Sequence, residues 1–178
     1  MGREEKDGPT GPITGSQALD GLISLRRMIA ALTRQRREMM DHSATVRRMY
    51  DLLSAGDVDG FADALADDFV EHEELPGGAP GKEGTKAFFL GFIAAFPDLR
   101  VTAEDVLSSG DKIVARAIAT GTNHGPFMGM PPTGKAIRVQ LIDIIRFDDD
   151  GLAREHWGVF DSMKMMQQLG VVPDGPPA

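Results

Sequence analysis

The chain has 178 residues, of which 42% are hydrophobic and 26% charged, as expected for one globular domain with a substantial core. Its net charge of −8 argues against general nucleic-acid binding, which requires a basic surface. The absence of cysteine excludes disulfides and thiolate metal ligands. The sequence also has no secretory signal and no apolar run of ~20 residues, so we expect a cytoplasmic protein without a membrane partner.

The first two segments precede the main domain. Residues 1–15 are rich in glycine, proline and charge, so we expect a disordered tail. Residues 16–42 are predicted to be a helical extension, because apolar residues recur there at helical spacings. These residues are Leu22, Leu25, Ile29 and Leu32. This narrow apolar stripe indicates packing on its own domain or on a second subunit, and an acidic protein fits a membrane-surface helix poorly.

The main domain is predicted over residues 43–172, followed by a tail over 173–178. Its helices come first and its strands later, with one strand between the helices. We predict helices from Ser43 to Gly56 and within 58–68, a strand over Phe69–Leu75, a helix over Lys82–Phe96, strands over Leu99–Leu107 and Lys112–Thr122, two strands within Ala136–Asp161, and a helical turn at Met163–Leu169. This segregation predicts an α+β fold with a mostly antiparallel sheet.

One acidic residue interrupts an apolar strand. Asp143 lies within LIDII, and the period of two in a strand puts it on the same face as Leu141 and Ile145. A carboxylate is costly to bury there without partners. It is therefore either a functional acid in a pocket or a structural aspartate paired with an arginine such as Arg116 or Arg146.

Three histidines are further candidates. His72, in FVEHEE, lies in the first predicted strand, where it is either a base or a solvated side chain among glutamates. His156 precedes Trp157, and we expect it either to stand beside Asp143 or to be a hydrogen-bonded core residue. His124 lies in a loop rich in glycine and proline, where it either closes the pocket mouth or belongs to a turn.

No motif in the sequence indicates a cofactor. The four histidines and the scattered carboxylates include no HExxH or comparable ligand spacing. The sequence also contains no GxGxxG, P-loop or GxSxG motif. We therefore predict neither a metal nor an organic cofactor.

Several segments together resemble a known family. These are SAGDVDGFADALADDFVEH, FPDLRV, GTNHGPFMGMPPTGK, IDIIRF and EHWGVFDSMKMMQQLG. In this order and spacing they are similar to the SnoaL-like polyketide cyclases of the NTF2-like superfamily, over roughly Ser43 to Gly170. The resemblance implies a cone in which a curved, mostly antiparallel sheet wraps around helices and leaves a deep apolar pocket.

The resemblance also implies roles for the candidate residues. The strand of Asp143 is similar to the one on which ketosteroid isomerase, a remote relative, places an oxyanion-hole aspartic acid, and His72 matches the position of that enzyme's base. An apolar setting raises the pKa of a carboxyl, so a protonated Asp143 would donate a hydrogen bond to the substrate. The side chains expected to contact substrate are Tyr50, Phe88, Phe92, His124, Phe127, Met128 and Trp157.

Two positions depart from the pattern of the related proteins. Tyr50 lies one residue from the helix site where ketosteroid isomerase keeps a tyrosine. A shift of one residue turns the direction of a side chain by about 100° around the helix axis. Cyclases of the family often carry an acid shortly after the His-Trp pair, where this chain has Gly158. The departure at Gly158 puts the aldol cyclisation of the family in doubt for this chain.

The resemblance implies a cofactor-free acid–base enzyme that cyclises or isomerises a hydrophobic, polyketide-like carbonyl compound. His72 or His156 would remove a proton next to the carbonyl, and Asp143 would stabilise the enolate. Two alternatives stay open: hydration, dehydration or hydroxylation in the same pocket, and a non-catalytic binding or assembly module. We expect a homodimer or homotetramer, because the open face of such a sheet is apolar.

Overall fold

The computed structural model describes residues 15–39, 42–73, 79–173 and 175. Most of the predicted tails, 1–15 and 173–178, therefore lie outside the described residues. The chain divides into two compact units, Met1–Met39 and Met40–Ala178. In the first unit the structure describes one helix, α1 (Gly15–Met39), as the periodicity predicts. None of the described helices has the length and apolar content needed to cross a membrane.

In its described residues the second unit combines four helices with a five-stranded sheet. Its elements are α2 (Ser43–Ala55), α3 (Val58–Ala62), β1 (Leu65–Glu71), α4 (Gly81–Ala95), β2 (Arg100–Ser109), β3 (Lys112–Thr122), β4 (Ala136–Phe147), β5 (Ala153–Phe160) and α5 (Ser162–Leu169). The strand order is β1-β5-β4-β3-β2. Strands β2 to β5 form an antiparallel meander, and β1 pairs parallel to β5. The predicted α+β class with a mostly antiparallel sheet is thus confirmed.

Short polar side chains and glycines set the helix ends. The carboxylate of Asp57 accepts a 2.8 Å hydrogen bond from the amide of Gly60 at the start of α3. Asp161 caps α5 in the same way, because its carboxylate accepts a 2.9 Å hydrogen bond from the amide of Lys164. Gly56 ends α2 with a φ of 78°, a left-handed conformation that favours glycine.

The first strand begins earlier than the sequence indicates. Residues 58–68 have helical propensity, but α3 ends at Ala62 and β1 begins at Leu65. The reason is tertiary: Leu65 pairs with Ala153, and the amide of Ala153 donates to the carbonyl of Ala64. Pairing with β5 outweighs the local preference for helix.

The inner face of the sheet carries small residues at its centre. Ala115, Ala117 and Ala119 of β3 alternate inward and are buried. Aromatic side chains of α4 and apolar side chains of α2 lie over this part of the sheet. Because alanine fills little of the space between the layers, room remains for a cavity in the domain.

Candidate active site

A mostly apolar cavity lies between the helices and the inner face of the sheet. The space that the centres of water molecules can occupy in it is about 140 Å³. Its apolar wall includes Met49, Leu53, Phe61, Phe88, Phe89, Phe92, Ala119, Val139, Leu141 and Ile145. Its polar wall consists of Tyr50, Glu71, Glu73, Thr85, Asp143 and His156. A cavity of this kind, with few polar groups gathered on one side, suits a small hydrophobic ligand.

Asp143 faces this cavity from the middle of β4. Its residue is only 9% exposed, and Leu141 and Ile145 line the cavity beside it. The hydroxyl of Tyr50, on α2, donates a 2.5 Å hydrogen bond to Asp143 Oδ2. Burial raises the pKa of Tyr50 far above its ordinary value, and the charge of Asp143 and this hydrogen bond add to the effect. Tyr50 therefore remains a hydrogen-bond donor across the physiological range.

His156 connects Asp143 to a second carboxylate. Its Nε2 lies 3.2 Å from Asp143 Oδ1, and its Nδ1 lies 2.8 Å from both carboxylate oxygens of Glu71. Burial lowers the pKa of His156, but the hydrogen bonds to Asp143 and Glu71 and their charges outweigh it and raise the pKa to about 10. His156 is thus an imidazolium at neutral pH. Tyr50, Asp143, His156 and Glu71 form one hydrogen-bonded series, the acid–base chain.

This arrangement differs from the role expected for Asp143. Its two oxygens face the Tyr50 hydroxyl and the His156 ring, whereas the expected role was that of a protonated carboxyl that donates a hydrogen bond itself. The proposed arginine partners are engaged elsewhere. Arg116 Nε donates to Asp105 at 2.7 Å, and Arg146 Nε donates to Glu155 at 2.6 Å.

Two glutamates of the site were not among the candidates. Glu71 and Glu73 both line the cavity. Burial raises the pKa of Glu73; the charge of His156 opposes this shift, and the charges of Glu71 and Asp143 add to it. A signal was present in the sequence: Phe69 is a large apolar residue, and a period of two from it puts positions 71 and 73 on the same face, which the structure has turned inward.

His72 lies on the opposite face from these glutamates. Its Nε2 is 2.9 Å from Glu155, and its ring stacks on Trp157 with a centroid distance of 4.5 Å. Lys112 contacts the Trp157 ring at 4.6 Å. Neither His72 nor Trp157 lines the cavity. The physical reason is the alternation of β1 and β5: Glu71 and His156 point inward, so their neighbours point outward.

Three other predicted contacts belong to the loop after β3. His124 is exposed, and its amide donates to the carbonyl of Ala95. Phe127 packs edge-on against Phe92 at 5.5 Å. Phe127 and Met128 line not the cavity but a neighbouring outer cleft, whose walls are Glu73, Phe127, Met128, Gly158, Val159, Phe160, Ser162, Met165 and Met166. Of the predicted substrate contacts, Tyr50, Phe88 and Phe92 line the cavity itself.

One loop residue missed by the sequence analysis holds this segment in place. Asn123 is buried, and its side-chain amide donates to the carbonyl of Gly125 at 2.8 Å. Its carbonyl oxygen accepts from the amide of Thr133 at 2.8 Å. These bonds join the two ends of the loop, so Asn123 is structural.

Three residues of the site, Glu71, Glu73 and His156, are of types that also bind metal ions. Donor atoms of Glu71, Glu73 and His156 lie within 4.8 Å of one another. A ligating histidine must offer a neutral ring nitrogen. Both ring nitrogens of His156 hydrogen-bond to carboxylates, and its raised pKa keeps both protonated. The donor set therefore fits a hydrogen-bonded acid–base site better than a metal site.

Comparison with known proteins gives a consistent family assignment. The model of the SnoaL-like polyketide cyclase family matches residues 43–169. No curated protein matches the chain.

Solved structures similar to this chain come from several bacteria. TsrD from Streptomyces laurentii is 30% identical, with a TM-score of 0.65, over 72% of this chain and 97% of its own. IdmH from Streptomyces antibioticus, a candidate polyketide cyclase, is 31% identical with a TM-score of 0.65, over 73% of this chain and 99% of its own. AclR from Streptomyces galilaeus, a candidate hydroxylase, is 26% identical with a TM-score of 0.66, over 80% of this chain and 85% of its own.

Proposed function

The chain belongs to the SnoaL-like polyketide cyclase family. From this premise we propose that it is an enzyme that cyclises or isomerises a hydrophobic, polyketide-like carbonyl compound. It does so by acid–base catalysis, without a cofactor. The observation that carries the proposal is the acid–base chain in the wall of an apolar cavity. Polar groups of shifted pKa in such a setting are typical of catalytic sites.

The first chemical step is removal of a proton from the carbon next to a substrate carbonyl. The C–H bond breaks, the proton passes to a base in the cavity, and the electron pair becomes an enolate. Negative charge then builds up on the carbonyl oxygen. The His156 imidazolium, held between Asp143 and Glu71, stabilises that charge. Its 3.2 Å contact with Asp143 is long enough to be shared with a substrate oxygen.

The second step decides between cyclisation and isomerisation. In cyclisation the enolate carbon attacks a second carbonyl of the same substrate, a C–C bond forms, and the new alkoxide regains the proton from the base. In isomerisation the proton returns to a different carbon. Both outcomes conserve the atoms of the substrate, and neither requires an oxidant or a reductant. The cavity contributes by holding the reacting carbons close together.

A second candidate function is hydroxylation of a similar substrate. The likeness to AclR, a candidate hydroxylase, favours it. Product mass separates the two functions, because cyclisation and isomerisation leave the mass unchanged whereas hydroxylation adds an oxygen atom.

The proposal is tested with β-tetralone, a two-ring hydrophobic ketone. In D₂O the protein is expected to catalyse exchange of the protons next to the carbonyl, which proton NMR follows directly. Asp143→Asn is expected to slow the exchange by about 100-fold or more, because it removes the carboxylate that holds His156 charged. The matched control is Asp105→Asn at the exposed partner of Arg116. Full exchange in Asp143→Asn would exclude Asp143 from the mechanism.

A further inference from the structure

The carboxyl of Glu73 lies directly over Gly158. Glu73 follows β1, and a methyl group added to Gly158 of β5 would come within 2.6 Å of Glu73 Oε2 and 2.7 Å of His156 Cε1. These separations are well inside van der Waals contact. Any side chain at position 158 would therefore displace the Glu73 carboxyl or the His156 ring. Glu73 also lines both the cavity and the outer cleft, so it stands where the two meet.

Glu73 differs from the other acid–base groups of the cavity in its hydrogen bonding. Tyr50 donates to Asp143, and Asp143 contacts His156 with its other oxygen. Glu71 is bound to His156 Nδ1 and also accepts the backbone amide of Glu73 at 3.0 Å. The side-chain carboxyl of Glu73 makes no hydrogen bond or ion pair with any residue in the described part of the chain. Within the described ranges no side chain or backbone group occupies these oxygens, so they can accept a proton from a ligand.

The surroundings of Glu73 favour such a role. Burial opposes the ionisation of its carboxyl most strongly, the positive charge of His156 acts in the other direction, and the carboxylates of Glu71 and Asp143 add to the effect of burial. These effects raise the pKa of Glu73 above the ordinary value of a glutamate. A raised pKa brings a carboxylate closer to the range in which it removes and returns a proton efficiently near neutral pH. His156, by contrast, holds its proton too firmly to serve as the base.

We infer that Glu73 is the catalytic base of this site and that Gly158 is glycine because the Glu73 carboxyl occupies the space above it. The inference rests on the proposed function and names the residue that performs its first step. Glu73 takes the proton from the carbon next to the carbonyl, becomes a neutral carboxylic acid, and gives the proton back when the ring closes or the double bond moves. His156 remains charged throughout.

The first experiment measures exchange of β-tetralone protons in D₂O. Glu73→Gln keeps the shape of the side chain but cannot accept the proton, so exchange is expected to fall by about 100-fold or more. Glu104→Gln, an exposed glutamate on β2, is the matched control and is expected to exchange like the wild type. The exchange rate of Gly158→Ala is expected to fall by about 100-fold as well, because the added methyl group displaces the Glu73 carboxyl.

The second experiment separates a base from a merely structural residue. The probe is β-naphthol, whose anion has the charge and the flat ring system of an enolate and whose fluorescence reports its ionisation. Once Glu73 has taken a proton it is neutral, and Glu73→Gln mimics that state. The variant is therefore expected to bind the naphtholate about 10-fold or more tightly than the wild type does, because a negative charge next to the anion is removed.

Slow exchange combined with tighter naphtholate binding in Glu73→Gln supports the assignment. Exchange at the wild-type rate in this variant overturns it while the proposed function stands. Slow exchange with weakened binding overturns it too, since that pattern indicates a damaged cavity. A wild-type protein that leaves β-tetralone unexchanged, while Glu73→Gln binds no better, overturns the proposed function and this assignment together. If Gly158→Ala fails to fold, as circular dichroism would show, Glu73→Gln decides alone.

Discussion

The hydroxyl of Tyr50 donates a 2.5 Å hydrogen bond to Asp143 and joins helix α2 to strand β4 across 93 positions of the sequence. Both residues are buried. A buried carboxylate depends on such donors, because water cannot replace them. The contact therefore links the stability of the fold to the electrostatics of the cavity.

Replacing Tyr50 with phenylalanine is expected to destabilise the protein. The substitution keeps the ring but leaves Asp143 Oδ2 without its donor, which should lower the free energy of unfolding by about 1–3 kcal/mol. Urea denaturation followed by circular dichroism measures the change. Phe61→Leu, at another buried position of the same core cluster, shows what a change of ring packing alone costs. Wild-type stability in Tyr50→Phe would contradict the interpretation of this hydrogen bond.

Stability is expected to fall as the pH rises from 7 to 10, in part because of His156. The folded pKa of about 10 lies above the ordinary value of 6.5, so folding favours the protonated ring. This contribution is complete below about pH 6.5 and is lost as the pH rises through 10, with a slope of at most about 1.4 kcal/mol per pH unit.

The measurement compares urea denaturation of the wild type and His156→Gln at several pH values in this range. The difference in unfolding free energy between the two is expected to shrink steadily toward pH 10. His124→Gln, in the exposed loop, serves as the control and should keep the wild-type slope. Parallel curves for the wild type and His156→Gln would contradict the raised pKa.

Two alanines of β3 offer a direct test of the cavity. Ala119 lines it, whereas Ala117 is buried on the same face of the strand without lining it. Ala119→Leu should fill the cavity and weaken binding of β-naphthol by about 10-fold or more, with little loss of stability. Ala117→Leu should instead cost about 1–3 kcal/mol of stability, because no room exists there. Fluorescence titration and urea denaturation separate the two results, and equal binding by both variants would argue against the cavity.

His72→Ala is expected to keep the exchange activity, because its ring lies against Trp157 on the outer side of the sheet. His156→Ala, by contrast, should lose it. The readout is again exchange of β-tetralone protons in D₂O. A large loss in His72→Ala with unchanged stability would restore His72 as a candidate base.

The sequence carried enough information to identify the layout of the domain and one side of its site. A period of two placed Asp143 between Leu141 and Ile145, and the structure has all three in the cavity wall. The same rule applied from Phe69 would have selected Glu71 and Glu73 in place of His72. His72 was chosen because histidine is a common catalytic base. The burial of Phe69, however, shows which face of β1 points into the cavity.

Other features depended on contacts that no local pattern contains. The sequence has no acid at Gly158, and the structure has the carboxyl of Glu73, from a distant segment, over that glycine. Burial lowers the pKa of His156, and the hydrogen bonds that raise it come from Asp143 and from Glu71, which is 85 positions away. Only the parallel pairing of β1 with β5 brings these residues together.

That pairing has a consequence for biosynthesis. Glu71 and Glu73 leave the ribosome long before His156 and Gly158, so the site cannot assemble while the last quarter of the domain is still being translated. Until then the edge of β1 lacks its hydrogen-bonding neighbour, and an unpaired edge of this kind invites aggregation. The nascent chain thus brings all residues of the candidate site together only when β5, the last of the five strands to be made, inserts between β1 and β4.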